Sequence, residues 1–123
     1  MQINRFEDIE SWQLARVLTR EVYAAAKKPP FSKDFGLRDQ ITRASSSIMH
    51  NIAEGFDGGS NAEFMRFLRY AQRSTSEVQS QLYVALDQEY LSDPQFEHLF
   101  DLAEQTRSKI GGFIAYLLRS DRK

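Results

Sequence analysis

Arg66, Arg69 and Arg73 stand three and four residues apart, with Tyr70 among them. On a helix that spacing gathers the guanidinium groups on one ridge. Arginines in such a row can contact phosphates, and an aromatic ring beside them can stack on a base. The ridge can equally be a solvated face whose charges are met by Glu63 and Glu77. A second row, Gln40, Arg43, Ser47, Asn51 and Glu54, repeats at helical period beside an apolar stripe. Polar groups at the edge of a core need hydrogen-bond partners. The row therefore reads as a structural network across helices or across a subunit interface, with Glu77 as a further member. Its functional alternative is contact with a ligand or a nucleic acid. Arg38, Arg43, Arg66, Arg69 and Arg73 are the candidate nucleic-acid contacts.

Other chemistries find less support. A nucleophile needs a base and an orienting group. Ser45, Ser46 and Ser47 lie close to His50, but serines inside a helix more often permit close packing. A di-iron bundle needs Glu-x-x-His pairs, whereas Ser47 precedes His50 and Gln95 precedes His98 at that spacing. His50 and Glu54 could supply half a metal site, but read better as surface residues. Gly55, Gly58 and Gly59 lack the lysine of a phosphate-binding loop. The chain has no cysteine, which excludes disulfides and cysteine-ligated zinc and fits a reducing cytoplasm. The expectation is a protein that is not an enzyme, with no catalytic residues, metal or cofactor.

These residues have to be positioned by something, and the composition says what. The chain has 123 residues, 41% of them hydrophobic and 27% charged, enough for one domain with a core of its own. Sixteen basic residues nearly balance seventeen acidic ones, so any basic patch must be local. No apolar run approaches the ~20 residues of a membrane span. The first residues carry acids and no apolar stretch, so no signal peptide is expected.

Read by period, four helical blocks emerge, at about 8–28, 36–57, 61–90 and 94–119. The first carries Trp12, Ala15, Leu18, Val22 and Ala25; Lys27 and Lys28 suit its negative end, and Pro29-Pro30 stop it. A short connector, Phe31 to Phe35, leads to the second, with Leu37, Ile41, Ala44, Ile48 and Ile52. Gly55 and Gly58-Gly59 interrupt that pattern. Ser60 and Glu63 form a capping box for the third block, whose seam is Phe64, Leu68, Ala71, Thr75, Val78, Leu82 and Ala85. Asp93 then caps the fourth, with Pro94 at its first helical position. Its seam runs Phe96, Leu99, Ala103, Thr106, Ile110, Phe113 and Leu117. Gly111-Gly112 inside it should cost about 1 kcal/mol each, offset by a close helix approach or released as a kink. Short loops force an all-α, antiparallel up-down four-helix bundle, a single domain over residues 1–123. Val17, Tyr23, Phe67, Tyr83, Leu86, Phe100, Ile114 and Leu118 fall outside the seams, which predicts a second buried face and hence self-association.

The run from Gly36 to Gly55, with Leu37, Gln40, Ile41, Arg43, Ala44, Ser47, Ile48 and the core Asn51-Ile52-Ala53-Glu54-Gly55, resembles the signature of a bacterial family, the 23S ribosomal RNA intervening-sequence proteins. Glu63, Phe64, Phe67, Leu68, Ala71, Ser74 and Glu77 continue the likeness, as do Phe6, Trp12, Ala15 and Tyr23. The resemblance implies a cytoplasmic up-down bundle assembled as a ring-shaped homopentamer. It extends to the accessory protein of diversity-generating retroelements, a binder of nucleic acid and of a reverse transcriptase. Two stretches depart from the pattern. After Glu54-Gly55 the family carries basic residues, where this chain reads Phe56-Asp57-Gly58-Gly59. Where the family favours Gly-Ser, this chain has Arg73-Ser74. The expected function is a non-enzymatic, oligomeric nucleic-acid-binding accessory protein, RNA or DNA being left open. The alternative is a protein–protein scaffold for an unknown partner, with no nucleic-acid role. No membrane partner is expected.

Overall fold

Apolar residues at intervals of three and four, punctuated by caps and short connectors, produce four long helices: α1 (Glu10–Ala26), α2 (Phe35–Asp57), α3 (Asn61–Asp87) and α4 (Asp93–Ser120). Single 3-10 turns lie at Phe6–Asp8 and Phe31–Lys33. The computed structural model describes residues 2–120, so the two outermost ends of the expected domain lie outside the described residues. Neighbours pack in the order α1, α2, α3, α4, and α4 closes back on α1. Each neighbouring pair is antiparallel: Ser47 faces Ser74, Gln79 reaches Glu104, and Glu10 and Glu21 reach Lys109 and His98. The described residues are thus an all-α, up-down four-helix bundle.

The core is the union of the four stripes. Every stripe residue expected on α2 and α3 is buried. Three further core residues, Ile9, Phe31 and Leu91, come from connectors. Ile9, extended at φ −78° and ψ 123°, is 2% exposed and separates the first 3-10 turn from α1, which therefore starts at Glu10 rather than near Asp8. Phe31 is also 2% exposed and stacks on Tyr90 with ring centroids 5.2 Å apart. On α4 the seam shifts near its end: Ile114, expected outside it, is buried, and Phe113 is half-buried.

The helix ends show where local expectation and structure part. At α3 the Ser60 hydroxyl accepts the Glu63 N–H, but the Glu63 carboxylate turns to Arg66 instead of back to the cap, so only half of the capping box forms. At α4 the cap is Ser92, not Asp93. The Ser92 hydroxyl accepts the Gln95 N–H at 3.3 Å, and the Gln95 side chain accepts the Ser92 N–H at 2.9 Å. The Ser-x-x-Gln box satisfies two orphan donors and so wins over a lone aspartate. α3 ends three residues before Tyr90, because Glu89 adopts the left-handed conformation, φ 64°. Its N–H bonds to Leu86 O and that of Tyr90 to Ala85 O, a helix-terminating arrangement in which glycine is usual. Tyr90 then donates its hydroxyl to Asp34 Oδ2 at 3.0 Å, while Asp34 Oδ1 accepts the Leu37 N–H and caps α2. One carboxylate thereby joins the α2 start to the α3 end.

Glycines inside helices have two different roles. Gly55 lies within α2, which continues to Asp57, and marks the close approach to α3. A Cβ there would come within 2.8 Å of Phe67 Cβ and 3.2 Å of Phe64 O. α4 runs unbroken through Gly111-Gly112. A Cβ on Gly111 would meet only the Gln72 amide at 3.1 Å, and one on Gly112 would meet nothing within 4 Å. At Gly112 there is therefore no close helix approach to offset its cost.

Candidate functional site

The arginine ridge is a real feature of α3, and it is partly neutralised. Arg66 Nη2 pairs with Glu63, and Arg66 Nη1 donates to the Tyr70 hydroxyl at 3.0 Å. The Glu63 contact, followed by that of Tyr70, holds the Arg66 pKa above its ordinary value. The Arg66 guanidinium also lies over the rings of Phe67, at 5.1 Å, and Tyr70, at 5.6 Å. Arg73 approaches the Tyr70 ring from further along the helix, again at 5.6 Å. Cation–π contacts of this kind order long side chains that would otherwise be mobile. Arg69 and Arg73 are exposed, and among the described residues neither has an ion-pair partner within 4.0 Å.

The other two candidate cations sit elsewhere. Arg38 is tied down: it pairs with Asp39 at 3.1 Å, donates to Ser32 O and lies over the Phe35 ring at 4.8 Å. Arg43 is exposed on the outer row of α2, between Asp39 and His50. The structure therefore brings Arg66, Arg69 and Arg73 together and leaves Arg38 and Arg43 apart from them.

The polar row contracts to three hydroxyl and amide groups. Ser47 Oγ and Ser74 Oγ are 3.1 Å apart across the α2–α3 contact, and Asn51 Nδ2 donates to Ser47 O at 2.9 Å and to Ser47 Oγ at 3.0 Å. Ser74 is 6% exposed. Gln40, Arg43, Glu54 and Glu77 are exposed, and none of them joins this cluster. Gln40 and Glu77 instead border a shallow depression with Leu37, Ser80, Gln81 and Val84. Ser74 is the member that sequence reasoning missed. Its signal was a small polar residue at the edge of the α3 stripe, matching Ser47 at the edge of the α2 stripe.

The serines near His50 face their own backbone. Ser45 Oγ and Ser46 Oγ both donate to Thr42 O, and the Ser45 carbonyl accepts the Thr19 hydroxyl from α1. Among the described residues, none of Ser45, Ser46 and Ser47 hydrogen-bonds to His50, and no group of three or more His, Cys, Asp or Glu side chains is placed to hold a metal ion. Among the described residues no helix is long and apolar enough to cross a membrane. A concavity of about 520 Å³ lies between the start of α1 and the second half of α4, bordered by Ile9, Ser11, Lys109, Gly112 and Tyr116. The Ser11 hydroxyl, buried there, has no hydrogen-bond partner.

Six large apolar side chains among the described residues are exposed: Tyr83, Val84, Tyr116 and Leu118 on α3 and α4, Tyr23 on α1, and Phe35, the most exposed at 63%, at the start of α2. Tyr83, Phe96 and Phe100 form an aromatic triangle across these two helices, with centroids 5.0–5.5 Å apart.

Comparison with known proteins places this arrangement. The family model described as 23S rRNA-intervening sequence protein matches residues 7–112. A crystal structure of a protein of unknown function from the S23 ribosomal protein family of Bacteroides thetaiotaomicron VPI-5482 aligns with a TM-score of 0.78 at 21% identity. The alignment covers 85% of this chain and 97% of that one, a likeness of fold. Among curated proteins nothing matches.

Proposed function

Starting from the chain's membership of the 23S rRNA-intervening sequence protein family, we propose that it is a non-enzymatic accessory protein that self-associates and binds nucleic acid through arginines displayed on its outer helices. The observation that carries this reading is the stack of Arg66, Tyr70 and Arg73 beside an unpaired Arg69. Ordered guanidinium groups beside an aromatic ring suit phosphates and bases together. The family description names an insertion in ribosomal RNA, which favours RNA over DNA only through that name.

Self-association is supported by exposed Tyr83, which stacks on half-buried Phe96 and Phe100 to make an aromatic face across α3 and α4, and by exposed Val84, Tyr116 and Leu118 on the same helices, apolar surface that water solvates poorly. The ring of five copies implied by the family resemblance would repeat each weak cationic patch around one axis. A long polymer engaging several patches at once then gains avidity without any new contact. The near balance of charge supports a second reading, in which the same aromatic face docks a protein partner.

The test is fluorescence anisotropy of labelled structured RNA and duplex DNA across a salt series, with the wild type and the triple variant Arg66→Gln, Arg69→Gln, Arg73→Gln. Binding should weaken with salt, and the variant should lower the slope of log K against log salt by about 2 to 3, about 0.9 per lost contact. An unchanged variant would sink the ridge assignment. Absence of wild-type binding at low salt would favour the protein scaffold. Light scattering after size exclusion should return a mass near five times 14.2 kDa, and a monomer at micromolar concentration would refute the ring.

A further inference from the structure

α1 separates its charges by face. Glu10 pairs with Lys109 at 3.3 Å and Glu21 with His98 at 2.6 Å, both on α4. Lys28 shares a depression with Glu21 and His98 and so belongs to the same side. The remaining cations, Arg16 and Arg20 on α1 and Lys27 at its C-cap, lie at helical intervals on the other flank of the helix, toward α2, and are exposed. Among the described residues none of the three has an ion-pair partner within 4.0 Å. At 1.5 Å rise per residue the row is about 16 Å long. Arg16 lies over the Trp12 ring at 5.9 Å, which holds its guanidinium in place, and Tyr23, 41% exposed, sits between Arg20 and Lys27.

The neighbouring surface does not cancel this charge. Thr19 bonds to Ser45 O where α1 meets α2, so by helical period Thr42, Ser46 and Met49 form the adjoining edge of α2 and none of them is charged, while Arg38 and Asp39 further along that edge pair with each other at 3.1 Å. The hydroxyls of Thr42 and Ser46 are turned to their own backbone. The α3 ridge compares poorly: Glu63, Arg66, Arg69, Arg73 and Glu77 together carry one net positive charge, against three for Arg16, Arg20 and Lys27. Acid-free cationic rows attract polyanions more strongly than mixed ones, because no fixed anion competes with phosphate.

We propose that the outward face of α1, formed by Arg16, Arg20 and Lys27 with Trp12 and Tyr23, is a phosphate-backbone contact surface for nucleic acid, separate from the α3 ridge. The inference rests on the nucleic-acid reading above and adds to it a site on the diagonally opposite helix. Four of the six exposed large apolar side chains lie on α3 and α4, the others being Tyr23 of this surface and Phe35 at the start of α2, so self-association through α3 and α4 leaves the α1 side free to meet a ligand.

The test uses a short labelled RNA duplex and the full-length chain in four forms: wild type, two variants of the α1 row and the α3 triple variant. The variant Arg16→Gln, Arg20→Gln, Lys27→Gln should lower the salt slope by about 2 to 3. The variant Arg16→Lys, Arg20→Lys, Lys27→Arg keeps the charge and should keep the slope. Both change only exposed side chains, and unchanged far-ultraviolet circular dichroism will show that they fold. A neutralised α1 row that leaves affinity and slope at wild-type values, while the α3 triple variant lowers them, overturns this inference and leaves nucleic-acid binding standing. A wild type that binds no RNA at low salt overturns both.

Discussion

Gly55→Ala isolates the α2–α3 contact. A glycine in a helix interior costs about 1 kcal/mol relative to alanine, so propensity alone makes this substitution stabilising. The structure reverses the sign. The new Cβ would stand 2.8 Å from Phe67 Cβ, 2.9 Å from Phe64 Cδ1 and 3.2 Å from Phe64 O. Two of those atoms, a Cβ and a main-chain oxygen, move only if α3 moves. Relief requires α2 and α3 to part by several tenths of an ångström, which loosens packing along the interface and stretches the 3.1 Å contact between Ser47 and Ser74. Overpacking of a close-packed interface costs about 1 to 3 kcal/mol, and the strain here falls on backbone, at the upper end. After the propensity gain, Gly55→Ala should destabilise by about 1 to 2 kcal/mol. Gly112→Ala is the control, since its Cβ meets nothing within 4 Å; it should stabilise by about 0.5 to 1 kcal/mol. Urea titrations followed by circular dichroism at one protein concentration measure both, the fixed concentration holding any contribution from assembly constant between variants. Gly55→Ala at or above wild-type stability would refute the close-approach argument.

Two further predictions concern helix ends. Ser92→Ala removes the reciprocal cap of α4 and should cost about 1 kcal/mol, whereas Asp93→Ala loses only an interaction with the helix dipole, about 0.3 to 1 kcal/mol; a larger loss at Asp93 would put the cap back where sequence reading placed it. The hydrogen bond to Asp34, and secondarily burial, hold the Tyr90 pKa above its ordinary 10.0. A raised folded-state pKa means that the stabilisation is fully present below pH 10.0 and is lost as pH climbs through the higher folded value. The stability advantage of wild type over Tyr90→Phe should therefore be constant near neutrality and shrink above pH 10.0, and an advantage that persists into strong alkali would contradict the link.

Helical period exposed the core of α2 and α3 because those stripes face neighbours along their whole length. It failed where the core is built by other means. Ile9 and Phe31 are buried from an extended residue and a 3-10 turn, and period says nothing about connectors. Ile114 was placed off the α4 seam because a seven-residue repeat slips against a straight helix of 3.6 residues per turn. Twenty-eight residues are long enough for that slip to exchange Phe113 for Ile114. The candidate site was legible only in part, for a related reason. Spacing put Arg66, Arg69 and Arg73 on one ridge, but which acids neutralise which cations depends on how helices pair. The partners of Glu10 and Glu21, 99 and 77 residues away in sequence, are what leave the α1 row unopposed.

The most recognisable stretch of the chain, Asn51-Ile52-Ala53-Glu54-Gly55, invites a reading as a ligand site, and its geometry argues otherwise. Asn51 spends its amide donors on Ser47. Ile52 is fully buried. Gly55 supplies the missing side chain that lets α3 approach. Together with Ser47 and Ser74 these residues set the register and separation of α2 and α3, and only Glu54 faces solvent. A packing device of this kind fixes the platform while leaving the outer rows of α1 and α3 free to vary in charge. On the proposed nucleic-acid reading, affinity should therefore follow the surface cations rather than this motif. Asn51→Ala, which leaves Arg16, Arg20, Lys27, Arg69 and Arg73 in place, should lower stability by about 1 kcal/mol and leave the salt slope of RNA binding unchanged. A slope that fell with a correctly folded Asn51→Ala protein would move the motif into the binding surface.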